Sequence, residues 1–350
     1  MTAIPDSSRR SRDLALLLAV AFALTLGLAS AACQEGGPVD PAQQTLRIAV
    51  VPKGTNMTFW RTIHAGALKA QQDLAARGVQ VEVIWKGPLR EDDREQQIQV
   101  VEGFTSQGVD AIVLAPLDAK ALVRPVEEAK RLGIPTVIFD SGLESDDIVS
   151  FVATDNYRGG EMAADAMGHL LNGQGRVLLL RYQEGSASTT AREEGFLARL
   201  AEAWPDLTVV SSDQHAGPTR DTAKRAAENL LNRFGTELDG VFVVNETSTR
   251  GMLLALQDTQ LAAEVRFLGF DGTPAYADAV RAGDMDGFVI QDPFNMAALA
   301  VETTVDHLLG REVPRRVDTP VLVVTAENLD SDEAQRLLHP PLDVYLSPGE

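Results

Sequence analysis

From residue 46 onward, short runs rich in β-branched and other apolar residues take strict turns with longer segments of helical spacing. Candidate strands fall at 46–51, 79–85, 111–115, 136–140 and 148–154, with helical segments at 60–76, 91–106 and 119–132. A helix between two strands carries the chain back to its starting edge, so successive strands pair in parallel. Helices then cover both sheet faces, and the strands become near-continuous apolar runs instead of alternating ones. The alternation begins afresh after residue 155, with strands at 176–181, 207–212, 240–245, 266–271 and 287–291. Helical segments there fall at 160–171, 190–202, 220–233, 247–257 and 274–281. A length of 350 residues accommodates two such units.

The fold class expected is therefore α/β, with two Rossmann-like lobes built on parallel sheets. Such sheets bind ligands outside the carboxyl ends of their strands. Two sheets facing each other present those ends to one shared cleft. An amphipathic segment at 294–309 and an apolar run at 321–324 follow the second unit. If that helix returns to the first lobe, the chain crosses between lobes more than once and forms a multi-strand hinge. The expected division is 46–154 plus 292–324 for the N-terminal lobe and 155–291 for the C-terminal lobe. Residues 325–350 are expected as a hinge-crossing segment and tail.

The first 33 residues have another character. Arg9, Arg10 and Arg12 precede an apolar stretch from Leu14 to Leu28 and the small residues Ala29, Ser30, Ala31 and Ala32. That layout is a secretory signal, too short for a comfortable membrane span. Cys33, the only cysteine, follows directly, which excludes an internal disulfide. A thiol there resembles the lipid-attachment site of a bacterial lipoprotein, although Ser30 stands where that motif has Leu. Cleavage after Ala29-Ser30-Ala31 is the alternative, and Arg9-Arg10 also resembles a twin-arginine signal, with Arg12 and Asp13 against it. Residues 34–45, rich in Gly, Pro and Gln, read as a flexible tether.

Composition narrows the function. Fifty acidic residues against 31 basic ones give a net charge of −19, which argues against a nucleic-acid partner. His64, His169, His215, His307 and His339 are scattered, without metal-ligand spacing. Gly185-Ser186-Ala187-Ser188 lacks the second glycine of a nucleophile elbow. Pro52-Lys53-Gly54-Thr55-Asn56 replaces a dinucleotide fingerprint after the first strand. Neither a cofactor nor an enzymatic reaction is asked for.

Polar residues at strand ends are the positive signal. Asp140, Asn245 and Asp271 each close an apolar strand. Singly, each serves equally well as a helix cap. Together, at carboxyl ends in both lobes, they describe a shared polar cavity. Carboxylates and amides each pair two adjacent hydroxyls, the rim of a sugar. Phe59 and Trp60 follow the first strand, where a flat ring covers a sugar's apolar face or simply fills the core. Arg192 offers a planar fork of donors if it faces the cleft rather than solvent. Gln291 ends its strand just before Asp292-Pro293, facing the cleft or bonding the crossover backbone.

These residues carry a family resemblance. Residues 46–324 resemble the type I periplasmic binding proteins of ABC importers, in the ribose-binding branch. The matching stretches are Asn56-Met57-Thr58-Phe59-Trp60, Gly133-Ile134-Pro135 to Asp140, Ala153-Thr154-Asp155-Asn156 and Gly159-Gly160. Others are Ala191-Arg192-Glu193-Glu194-Gly195-Phe196, Asn245-Glu246, Gly269 to Pro274 and Ile290-Gln291-Asp292-Pro293. The resemblance implies that the aromatic pair stacks on the ligand, with Phe270 as a further ring and Asn56 at the same wall. Asp140, Arg192, Asn245, Asp271 and Gln291 then hold its hydroxyls. It implies an ABC permease and ATPase as partners, no nucleic acid, a monomer, and a membrane connection only through the N-terminal anchor.

Three departures from the ribose binders bear on the ligand. Ser141 replaces an Arg after the first cleft Asp, Pro218-Thr219 replaces an aromatic, and Thr58 replaces a Pro. Lys53 resembles a ligand-contacting lysine in binders of furanosyl signalling molecules. Lys53, Ser141 and Thr219 are thus further candidate contacts. A receptor feeding a sensor or chemoreceptor, and an exported enzyme of this architecture, remain alternatives. A sugar-responsive repressor would need a DNA-binding segment where the signal peptide stands.

Overall fold

The computed structural model describes residues 45–347. The signal segment, Cys33 and the tether up to Gln44 lie outside the described residues. Two six-stranded sheets form the framework. The first has the order β11-β5-β4-β3-β1-β2, with β1 Leu46–Val51, β2 Val81–Trp85, β3 Ala111–Leu114, β4 Thr136–Phe139, β5 Phe151–Thr154 and β11 Arg316–Thr319. The second has the order β12-β10-β9-β8-β6-β7, with β6 Gly175–Leu180, β7 Leu207–Ser211, β8 Gly240–Val243, β9 Arg266–Phe270, β10 Gly287–Gln291 and β12 Val321–Thr325. Position for position the two orders correspond. All pairings are parallel except that of β12 on β10.

The apolar runs are explained by a core on each face of each sheet. Ile48 and Val50 of β1 enter one cluster while Ala49 and Val51 enter another. In β6, Leu178 and Leu180 face one cluster and Val177 and Leu179 the opposite one. In the N-terminal lobe, helices α1 Thr58–Ala76 and α9 Pro293–Leu308 pack together on one face. Helices α2 Arg94–Gln107 and α3 Val123–Arg131 cover the other. In the C-terminal lobe, α4 Asn156–Leu170 and α5 Ala187–Ala203 lie on one face. The opposite face carries α6 Arg220–Phe234, α7 Glu246–Asp258 and α8 Pro274–Ala282.

The chain passes between lobes after β5, after β10 and between β11 and β12. Thr154 and Thr319 join the first and third crossings through their hydroxyls, 3.2 Å apart. The third crossing therefore lies at Pro320, ahead of the expected position near Thr325. This changes the expected division, because residues 321–325 pair with β10 of the C-terminal sheet. Residues 316–319 stay in the N-terminal lobe as expected but form a strand there, β11, whose sequence Arg-Val-Asp-Thr has no apolar run to announce it. The tail is also structured. Helix α10, Asp332–Leu338, places Ala334, Leu337 and Leu338 in the C-terminal core. After His339-Pro340-Pro341, the short α11, Leu342–Tyr345, packs with Leu346 on Ala65 and Phe294 of the N-terminal lobe. The chain thus crosses a fourth time.

Candidate functional site

The carboxyl ends of both sheets meet where the lobes face one another. The space between them is lined by Lys53, Phe59, Trp60, Glu91, Asp140 and Tyr182, among others. Tyr182 belongs to the C-terminal lobe, which also contributes Arg192, Asn245, Glu246, Asp271 and Gln291. About 30 Å³ remains free among them, room for a water or two. The lobes are closed on one another. Ser188 N–H donates across the cleft to Ser141 Oγ at 3.1 Å, and Ala119 N–H donates to Gly185 O at 2.9 Å.

Asp140 and Asp271 both adopt left-handed backbone, with φ of 60° and 68°. Non-glycine residues occupy that region at a cost, and here it turns each carboxylate out of its strand end into the cleft. Asp271 is fully partnered. It accepts from Gln291 Nε2 at 2.6 Å and from the Glu246 N–H at 2.8 Å. Desolvation still raises its carboxyl above the usual range, against the lowering pull of Arg192. Asp140 has the Lys53 ammonium 2.9 Å from Oδ2. That contact is an ion pair out of hydrogen-bond alignment, so Oδ2 makes no hydrogen bond, and neither does Gln291 Oε1. Two acceptors are left facing the cleft without a donor.

Arg192 is held before any ligand arrives. Its Nε donates to Asn156 Oδ1 at 2.8 Å, its Nη1 donates to Val244 O at 2.8 Å, and its guanidinium lies 3.8 Å over the Phe270 ring. Burial pulls its pKa down, while Asp271 and Asp140 pull it up. Glycine decides where its helix sits. A side chain at Gly160 would run into Arg192 O, and one at Gly195 into Tyr157 O, so α4 and α5 touch backbone to backbone. The paired glycines of the sequence are packing sites that set the height of Arg192.

Trp60 is 2% exposed, wedged edge-on against Phe59 (centroids 5.0 Å apart) and Phe139 (6.3 Å). Phe59 is half-buried, its N–H donating to Glu246 Oε2 of the other lobe at 3.0 Å. Burial raises the Glu246 carboxyl to about 7. Asn245 lines the cleft while its Oδ1 caps α7 through Ser248 N–H at 3.1 Å, so both readings of this residue hold at once.

Other expected residues lie further out. Phe270 does not reach the cleft wall; it is buried behind Arg192 in the core. Asn56 and Thr219 line a side pocket of about 380 Å³ that shares Glu91 and Glu246 with the cleft. Thr219 is also the N-cap of α6. Ser141 is fully buried at the lobe contact. Glu91, Tyr182, Glu246, Ser186 and Ser188 were not expected. The two serines belong to the Gly-Ser-Ala-Ser turn and face the Lys53 ammonium at 3.5 and 3.1 Å. Glu91 was read as the start of a helix; α2 begins only at Arg94, leaving Glu91 in a loop at the cleft. Among the described residues, no group of three or more His, Cys, Asp or Glu could hold a metal ion.

Residues 48–312 match a model described as the periplasmic binding protein domain. The chain belongs to this family. The xylitol-binding protein of Mycolicibacterium smegmatis is 30% identical over 315 residues, covering 89% of this chain and 86% of that protein. The ribose import binding protein of Bacillus subtilis is 29% identical, covering 73% of this chain and 80% of its own. A carbohydrate transporter solute binding protein from Agrobacterium radiobacter, solved in complex with D-arabinose, superimposes with TM-score 0.79 at 30% identity. That match covers 85% of this chain and all of the other. An ABC transporter solute binding protein from Agrobacterium vitis with bound D-fucose gives 0.78 at 32% identity, covering 84% and 100%. The two-lobe α/β fold expected from strand–helix alternation is the fold of these relatives, and binding proteins, not enzymes, are its company.

Proposed function

We propose that this chain is the substrate-binding component of an ABC importer, capturing a monosaccharide or related polyol between its lobes. The observation that carries the reading is the convergence of Asp140, Asp271, Arg192, Asn245 and Gln291 beside Trp60, from two lobes, in one buried space. Two acceptors there lack donors, and hydroxyl groups are the donors that a polyol brings. A ligand contacting both walls stabilises the closed state over the open one, which is the capture step. Relatives named for xylitol and ribose, and neighbours holding D-arabinose and D-fucose, support this ligand class.

Thermal melts with pentoses, hexoses, polyols and furanosyl signals test it. One of them raises the unfolding midpoint, and the gain disappears in Arg192→Ala while the ligand-free variant still folds. Stabilisation by none of them, or normal binding by that variant, sinks the reading. Lys53 beside Asp140 supports a second reading as receptor for a furanosyl signal, decided by which compound in that panel binds. We further propose a monomer exported to the cell envelope and lipid-anchored at Cys33; intact mass of the mature protein tests the anchor.

A further inference from the structure

Glu91 lies in the loop between β2 and α2, 7% exposed, and belongs to no helix or strand. Its two carboxylate oxygens have separate partners. Oε1 accepts from Trp60 Nε1 on α1, in its own lobe, and Oε2 accepts from the Tyr182 hydroxyl of the opposite lobe. Its backbone carbonyl accepts from Gln183 Nε2 of the opposite lobe at 3.0 Å. Both aromatic donors are at most 2% exposed, so without Glu91 their polar hydrogens would be buried without partners. Phe59 and Phe139 press on Trp60 from other sides, leaving its N–H edge to Glu91 alone among these contacts.

We propose that Glu91 is the positioning residue that links lobe closure to the orientation of Trp60. The proposal rests on the capture reading for its purpose, though not for its geometry. In the open state Tyr182 and Gln183 move away with their lobe, and Glu91 keeps only Trp60. In the closed state the same carboxylate is shared, so the ring that covers the ligand is fixed only once Tyr182 has arrived. Hydrogen bonds to a carboxylate are the stronger kind. The one from Tyr182, with the Gln183 bond to the Glu91 backbone carbonyl, is made only in the closed state and shifts the open-to-closed ratio by about ten-fold or more. Lys53, Asp92 and Asp140 are the other charged groups that act on this cluster.

The test uses the mature chain with Cys33→Ser and spin labels on Arg124→Cys and Arg225→Cys, exposed residues of α3 and α6 in opposite lobes. Pulsed electron resonance then gives the interlobe distance distribution without ligand, and again with D-ribose, D-arabinose or xylitol. Tyr182→Phe, which loses only the hydroxyl, raises the ligand-free open-to-closed ratio about ten-fold. Glu91→Ala does the same or more, Glu91→Gln stays within about two-fold of the parent, and the Glu91→Ala/Tyr182→Phe double variant adds nothing to Glu91→Ala. An unchanged distribution in a folded Tyr182→Phe protein overturns the proposal, even if Glu91→Ala does not fold. So does failure of Glu91→Gln to restore closure. If no sugar narrows the distribution of the parent, the capture reading fails while the ligand-free comparison still decides the role of Glu91.

Discussion

Asp140 and Asp271 occupy the same place in the two lobes, since β4 and β9 correspond in their sheets and each Asp follows in left-handed backbone. Their surroundings differ. Asp271 is bound within its own lobe by Gln291, the Glu246 N–H and the field of Arg192. Asp140 has one ion pair and an oxygen without a hydrogen bond. The Asp271 carboxylate is bonded before the ligand arrives, and that of Asp140 is left to be completed by it. A carboxylate needs fixed partners to be rigid, but one with all its acceptor sites used has less to offer a hydroxyl. Division of these tasks gives a fixed carboxylate in the C-terminal lobe and a receptive one in the N-terminal lobe, with Gln291 Oε1 as a further open acceptor.

Substitutions can break that contrast. The largest effect is expected for Asp271→Ala, which takes the acceptor from Gln291 Nε2 and the Glu246 N–H and removes a charge that balances Arg192. Each buried donor left without an acceptor costs about 1–3 kcal/mol, so melting should show a lower midpoint, and with the ligand's own bonds to Asp271 gone titration calorimetry should show about a hundred-fold weaker binding. Gly160→Val comes next, because the added side chain meets Arg192 O and displaces α5. Overpacking of this kind costs about 1–3 kcal/mol, and both stability and affinity should fall. Asp140→Asn keeps the shape and removes the charge facing Lys53. Binding should weaken about ten-fold, the loss of roughly one hydrogen bond, and the melting midpoint should fall as well, because the buried Lys53 ammonium loses its partner. Equal losses of affinity in the two Asp variants would erase the proposed asymmetry.

A smaller effect concerns pH. Glu246 rises from 4.5 to about 7 because burial disfavours its charge, against the lowering pull of the Phe59 N–H from the opposite lobe. A raised carboxyl favours the state that holds the proton, so its contribution to closure is complete below 4.5. That contribution is lost as pH climbs through about 7. Glu91 and Asp271 are displaced in the same direction, also by burial. Scattering from the ligand-free protein should therefore show more open molecules as the medium becomes alkaline, and Glu246→Gln should flatten the dependence. The smallest effect is reserved for Thr219→Ala, which removes a cap at the mouth and should cost about 1 kcal/mol of stability with affinity unchanged.

What the sequence made readable follows the same line. Asp140, Asp271 and Gln291 could be found because a polar residue ending an apolar parallel strand has one place to point. Arg192 could be found through the resemblance, but its height depends on Gly160 and Gly195, whose purpose shows only when α4 and α5 touch. Glu91, Tyr182 and Glu246 were not readable, since each acquires its role from a residue in the opposite lobe. Glu91 looked like a helix start because acidic residues are common there. Strand β11 escaped because Arg316 and Asp318 hide its pairing with β5, and β12 was assigned to the wrong lobe because an apolar edge strand does not announce which sheet it will join.

The fourth crossing bears on how this molecule could be instrumented. Helix α10 belongs to the C-terminal core, yet α11 rests on Ala65 and Phe294 of the other lobe, with Pro340 and Pro341 between them. A fluorescent protein joined directly after Ser347 would ride on the N-terminal lobe, the lobe that also carries Leu46 of β1. A pair of reporters joined at Thr45 and at Ser347 would then move together and register little when the cleft shuts. Ending the chain at Leu338 instead would place the second reporter on the opposite lobe, and the same pair would become a gauge of ligand in solution.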